Sequence, residues 1–434
     1  MNFSQKILVL AFFIYCPLIA WGHDGGKGIN DSAPPNIGAG GPFNSRNVTL
    51  LSHMNLGQIG GGPTNVLGND CWGWTDPLTS REYAIFGLTN GTSFIDITDP
   101  TAPIYLGKLN SQTGNTAWRD MKVYNNHAFI VSDANGAHGM QVFDLTQLRT
   151  VAPNNPQSFT NTAHYAGVNS SHNIAINEAT GFAYIVGSNQ ASGGLHIVNI
   201  QNPTNPVAAG NFSADGYTHD TQVVNYGGPD FSYLNREIAF NSNEDTLTIV
   251  DVTNKSNLQM ISRAVYSGSE YAHQGWLSED HKYFFMDDEL DERRSPTLIN
   301  TRTRVWNVED LDNPQYLGFV NGAESTIDHN LYVKGNLIFQ ANYTSGLRVL
   351  RINDAQTLDM EEIAFLDTYG ADNNVTFNGA WSVYPYFDSG TVIVSDRQNG
   401  LFMVRFNSVP EPGSLGMLAA LGLLASTFRR RRRV

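Results

Sequence analysis

One short apolar strand recurs along the chain about every fifty residues, a period that belongs to stacked repeat architectures. Its seven copies are Phe94-Ile95-Asp96-Ile97, Val142-Phe143-Asp144-Leu145, Ile197-Val198-Asn199-Ile200, Ile249-Val250-Asp251-Val252, Val305-Trp306-Asn307-Val308, Val349-Leu350-Arg351-Ile352 and Met403-Val404-Arg405-Phe406. Further short strands surround each copy, and turn dipeptides such as Asp99-Pro100, Asn202-Pro203 and Asn313-Pro314 separate them. Four strands fit each repeat, so the expected fold class is all-β, a seven-bladed β-propeller of four-stranded blades over 47–407. The alternative, a right-handed β-helix, has much shorter repeats. Composition agrees: charged residues are only 15%, while 41 Gly, 18 Tyr, 23 Phe and 7 Trp give a turn-rich, aromatic balance.

The seventh copy stops after its third strand, at Phe406. Val48 to Leu56, before the first blade, has the pattern of the missing fourth strand. It is expected to pair with the last blade and close the ring, because an open sheet edge invites aggregation.

Both ends read as sorting segments. Residues 1–22 hold Lys6, an apolar run from Ile7 to Ala20, and small residues at Ala20 and Gly22, which is the pattern of a cleaved signal peptide. The run is short for a membrane span. Residues 23–46 read as a flexible lead-in, and Gly60-Gly61-Gly62-Pro63 as a second flexible stretch without the context of a phosphate loop. Cys16 lies in the leader, so Cys71 is expected alone in the mature chain with no internal disulfide. At the other end, 408–434 contains Pro410-Glu411-Pro412, an apolar transmembrane stretch over 413–428, and five arginines from Arg429 to Arg433. Positive charge after an apolar stretch halts translocation. This tail resembles the PEP-CTERM sorting signal, which implies an exosortase-type sorting enzyme as partner. The resemblance also implies export to the cell envelope, outer surface or extracellular matrix, with transient inner-membrane anchoring through the C-terminal segment. The formal charge of −14 deepens to about −20 without Lys6 and the five arginines. So acidic a body argues against nucleic acid as a ligand.

First strands of propeller blades line the central channel. Here they open with Trp72, Arg119 and Asp120, His172, His219, His273, His329 and Trp381. Trp72, Arg119, Asp120 and Trp381 are candidate ligand-binding residues of that channel. Each histidine precedes an apolar residue by four positions (Ile176, Val223, Leu277, Val333), which gives all four the same register. Imidazoles bind Zn²⁺, Cu²⁺ or Ni²⁺, so His172, His219, His273 and His329, with Asp220 and neighbouring Asp120 or Asp328, form a candidate metal set. The alternative is that the histidines hydrogen-bond to channel water or to the next blade. A second acidic group, Asp287, Asp288 and Asp291 within Asp287 to Glu292, offers hard oxygen ligands for Ca²⁺. It lacks EF-hand spacing, and the other reading is a solvated loop paired with its own Arg293 and Arg294. No nucleophile elbow, phosphate loop or zinc-protease helix occurs in the sequence.

The phrases His273-Gln274-Gly275-Trp276-Leu277, Asp287 to Glu292, Asp328-His329-Asn330-Leu331-Tyr332, Gly379 to Phe387 and Gly139 to Leu145 resemble the choice-of-anchor B family, whose repeats are described as LVIVD repeats. The likeness runs from about Leu51 to Phe406. It implies an exported propeller joined to a variable C-terminal anchor, and it implies no reaction. Three functions follow as expectations. The first is a surface or matrix scaffold that binds a surface protein or polysaccharide, with Tyr217, Tyr226 and Tyr233 as stacking candidates. The second is a metal-binding protein or metal-dependent enzyme built on the histidine ring. The third is hydrolase or lyase chemistry on polysaccharide through acidic pairs.

Overall fold

The computed structural model describes residues 43–407 except 63, 64, 296, 297 and 299. The expected signal peptide (1–22), most of the expected lead-in and the whole tail (408–434), on which the transmembrane reading of 413–428 falls, lie outside the described residues. Among the described residues no helix is long and apolar enough to cross a membrane.

Seven antiparallel blades form a ring. From the channel outward, blade 1 is Gly68–Thr75, Glu82–Leu88, Gly91–Asp96 and Ile104–Asn110, and blade 2 is Arg119–Tyr124, His127–Ser132, Met140–Asp144 and Ala163–Tyr165. Blade 3 is Asn173–Asn177, Phe182–Val186, Leu195–Asn199 and Val207–Phe212; blade 4 is Asp220–Asn225, Glu237–Ser242, Thr246–Asp251 and Gln259–Val265. Blade 5 is Ala272–Leu277, Tyr283–Asp288, Arg302–Asn307 and Gln315–Asn321; blade 6 is Leu331–Lys334, Leu337–Ala341, Leu347–Asp354 and Asp359–Leu366. Blade 7 takes Ala380–Tyr384, Thr391–Asp396 and Gly400–Phe406 from the C-terminal end and its outer strand, Val48–Met54, from the N-terminal end.

The expected closure is therefore present. Val48 stands opposite Phe406, Leu50 opposite Val404 and Met54 opposite Leu401, with a bulge between Leu50 and Ser52. Two edges gain a further strand that the repeat pattern did not signal. Gln157–Phe159 runs parallel to Ile104–Asn110 on blade 1, and Ser45–Arg46 pairs with Asp359–Leu366 on blade 6. The last residues of the lead-in thus belong to the ring. Nor is the glycine stretch loose: Ile59 is fully buried, Ser93 Oγ donates to its carbonyl, and Lys108 Nζ donates to the Gly60 carbonyl.

The core lies between the blades. Trp74, Tyr83, Phe94, Met121, Ile130 and Phe143 fill the gap between blades 1 and 2, and Met54, Cys71, Phe86, Leu401 and Met403 fill the gap between blades 7 and 1. Comparable clusters separate the other blades. Because both faces of a blade meet a neighbour, the middle strands are buried on both faces, and Glu82–Leu88 and Gly91–Asp96 are buried along their whole length. Outer strands such as Gln259–Val265 are largely exposed on alternate residues, as one solvated face demands. Cys71 is buried and free.

Candidate metal centre

The segments that open the inner strands of blades 3 to 6 deliver their histidines to one arc of the channel. Successive ring centroids are 4.2 Å apart for His172 and His219, 4.2 Å for His219 and His273, and 4.4 Å for His273 and His329. Trp381 continues the arc at 4.9 Å from His329, and Tyr343 lies 4.6 Å from the same ring. All four histidines are buried.

Each imidazole is oriented through Nδ1. His172 Nδ1 lies 3.0 Å from Asp133 Oδ2, and His273 Nδ1 lies 2.9 Å from Asp287 Oδ1. His219 Nδ1 and His329 Nδ1 meet the backbone carbonyls of His273 and Trp381, at 3.0 and 2.6 Å. A carbonyl only accepts, so Nδ1 of these two rings carries the hydrogen and the lone pair of the neutral ring sits on Nε2. Burial pushes His329 down to about 3, which keeps it neutral near pH 7.

Glu289 completes the arrangement from the turn after Tyr283–Asp288. Its Oε2 is 3.9 Å from His273 Nε2 and its Oε1 is 3.6 Å from His329 Nε2. Ligand atoms of His273, Glu289 and His329 all lie within 4.8 Å of one another. Tyr343 donates its hydroxyl to Glu289 Oε1 at 2.5 Å, yet burial still raises the carboxyl to about 7. Two imidazoles and a carboxylate form a donor set that suits Zn²⁺ or another divalent transition metal. Asp287 and the Trp381 carbonyl fix the rings as outer-shell partners do in metal sites.

The other residues singled out in the sequence lie elsewhere. Asp120 and Asp220 do not join the histidines. Together with Asp70 they surround Lys122, whose Nζ is 2.6 Å from Asp120 Oδ1 and 3.9 Å from Asp70 Oδ2. Trp72 packs against this group, with Lys122 Nζ 4.6 Å from its ring centre and Tyr384 at 5.0 Å. Arg119 is buried, but its guanidinium donates to the Leu88 carbonyl and Ser111 and meets His138 Nε2 at 3.2 Å, bracing blades 1 and 2.

The acidic run is not a solvated loop. Asp287, Asp288, Asp291 and Glu292 are buried, and Arg304 rather than the run's own arginines pairs with Asp291 at 2.5 Å and Asp288 at 3.7 Å. Asp288 also accepts from Tyr266 Oη and from the backbone N–H groups of Glu270 and Tyr271, so its oxygens are occupied. Of the three tyrosines, Tyr226 is buried, Tyr233 packs against the core between blades 4 and 5, and Tyr217 is partly buried. Sequence reasoning missed Glu289, Asp133, Tyr343, Asp70 and Lys122. Glu289 stood in plain view inside the acidic run, and Lys122 was marked by being a lysine within an otherwise buried inner strand.

The profile of the PEP-CTERM protein-sorting motif matches residues 408–433, and that of the LVIVD repeat matches 170–214 and 238–264, within blades 3 and 4. No curated protein matches the sequence. Among solved structures, the Cps50 (Swd1) β-propeller domain of Myceliophteria thermophila is 10% identical with a TM-score of 0.50, over 83% of this chain and 100% of that one. A protein from Lactobacillus plantarum is 15% identical with a TM-score of 0.49, over 76% of this chain and 88% of that one. At such identities the first likeness speaks for the fold alone. The chain is thus a seven-bladed β-propeller with LVIVD repeats in its third and fourth blades and a PEP-CTERM sorting motif at 408–433.

Proposed function

We propose that the protein is an exported surface propeller that binds a divalent transition metal, zinc by preference, through His273 Nε2, His329 Nε2 and Glu289. The observation that carries this reading is the convergence of these three ligand atoms within 4.8 Å, with the outer nitrogen of each ring already engaged. Burial holds the Glu289 carboxyl up at about 7 despite Tyr343, Arg293 and Arg397, and a divalent ion beside it would offset that cost. His219 and His172 extend the arc and supply further imidazole nearby.

The test is metal content by mass spectrometry on the full chain after incubation with zinc and desalting. One zinc per chain is expected, with loss in a His273→Ala, His329→Ala double variant. A parent that stays metal-free, or a double variant that keeps its zinc, rejects the centre.

The PEP-CTERM motif supports processing by an exosortase-type sorting system, and with it presentation of the ring to surface proteins or polysaccharide outside the cell. Deletion of 408–434 is expected to move the protein out of the envelope or surface fraction of its host, read by fractionation and immunoblot. An unchanged distribution would contradict a sorting role for the tail.

A further inference from the structure

A second group of side chains, separate from the histidine centre, has the properties of an ion site. Five buried carboxylate oxygens on four residues lack any hydrogen-bond partner: Asp287 Oδ2, Asp291 Oδ1, Glu292 Oε1 and Oε2, and Asp328 Oδ1. The four residues are between 0% and 5% exposed. They come from three places, namely the end of blade 5's second strand, the short helix Asp291–Arg294, and the segment before Leu331–Lys334 of blade 6. Their carboxyls face one another. Asp291 and Asp328 both repel Glu292, and Asp328 repels Asp287.

Partners for the remaining oxygens are accounted for. Asp328 Oδ2 accepts from the Arg302 N–H at 2.9 Å, Asp291 Oδ2 takes Arg304, and Asp287 Oδ1 takes His273 Nδ1 and the Gln274 N–H. Arg304 is buried and pairs with Asp291 and Asp288, and Asp328 also acts on it. A buried carboxylate oxygen without a donor loses its hydration without recompense, and here that happens at five atoms on four residues. Glu292 is the clearest case, since no side-chain donor from elsewhere in the ring reaches its oxygens, its carboxyl is set against that of Asp291, and it is 5% exposed.

We infer that Asp287 Oδ2, Asp291 Oδ1, Glu292 and Asp328 Oδ1 form a Ca²⁺ site that ties blade 5 to blade 6. The donors are all carboxylate oxygens, the hard ligands that Ca²⁺ takes in sets of about six to eight at about 2.3–2.6 Å with flexible geometry. Mg²⁺ is less suited, because it demands a tight octahedron and keeps much of its water. No three of the four carboxylates bring oxygens within 4.8 Å of one another, so binding requires the ion to draw them inward, and the contraction ties its binding to the stability of the fold. Asp287 is shared, with one oxygen on the ion and the other on His273 Nδ1. The site itself does not depend on the histidine centre.

The experiment is calorimetric titration of the EGTA-treated full chain with CaCl₂, together with thermal unfolding with and without Ca²⁺. One Ca²⁺ per chain and a melting temperature raised by several degrees are expected. Glu292→Gln should abolish both effects, and because it removes one charge from a crowded set, the variant without Ca²⁺ should melt no lower than the EGTA-treated parent. The His273→Ala, His329→Ala variant should lose zinc and still take up Ca²⁺, which separates this site from the transition-metal centre. Absence of Ca²⁺ uptake by the parent, with carboxyls that merely share protons, overturns the inference. So does Ca²⁺ binding that survives in Glu292→Gln and is lost in Asp312→Asn, since that would place the ion at the exposed Asp230, Asp310 and Asp312.

Discussion

Deleting residues 43–54 from the full chain should abolish cooperative folding. That segment supplies the fourth strand of blade 7, and without it Gly400–Phe406 becomes an unpaired edge. Val48 and Met54 are buried, Leu50 packs between blades 6 and 7, Leu51 packs between blades 7 and 1, and Phe43 meets Phe402 edge-on at 4.8 Å. At about 2 kcal/mol for each well-buried apolar side chain, their loss approaches the whole stability of a typical domain. The cost also falls in a special place, because the pairing joins residues some 350 positions apart and holds the ring shut. The expected signs are a lost thermal transition by circular dichroism and aggregates by size exclusion. A synthetic peptide spanning 43–56 added in trans should recover monomer, since the edge it fills is specific in register. A deletion variant that melts like the parent would mean that the ring holds without its clasp.

The ring was legible in the sequence because a blade repeats one simple demand. Strands such as Phe94 to Ile97 or Ile249 to Val252 must be apolar on both faces, and this leaves a mark at each copy. The closing strand could be located because the seventh copy visibly ended one strand short. The channel was legible only in part. Shared register placed the four histidines on one arc, but register does not reveal which side chain reaches in from a turn, and Glu289 comes from outside the inner strands. Asp220 follows His219 directly, yet neighbours along a strand point to different places, so it joins Lys122 instead. The acidic run misled for a related reason. Five acidic residues within six positions suggest water, and only the fold shows them buried, with Asp288 and Asp291 paired to an arginine more than ten positions away. The added edge strands Ser45–Arg46 and Gln157–Phe159 are too short for any pattern.

Lys122 carries the second large effect. Its ammonium is buried among Asp70, Asp120 and Asp220 and lies over the Trp72 ring. Burial works against its charge, but Asp120 and Asp70 hold its pKa above the ordinary lysine value. Lys122→Met should therefore cost about 3–5 kcal/mol in denaturant unfolding at pH 7, the usual result of stripping a buried group of its counter-charge. Asp220 gives the pH signature of the same cluster. Burial raises its carboxyl to about 7, against the pull of Lys122. The folded chain thus keeps a proton that the unfolded chain releases near pH 4, so this group favours folding at low pH. Its contribution is lost as pH rises from about 4 to about 7, on the order of 4 kcal/mol across the window. Asp220→Asn cannot lose that proton. The variant should match the parent near pH 4 and exceed it at pH 8, with a shallower fall in between. In the Lys122→Met background the same substitution should restore part of the lost stability, because one buried negative charge disappears. Parallel stability curves for parent and Asp220→Asn between pH 4 and 8 would show that the carboxyl is already ionised in the folded ring.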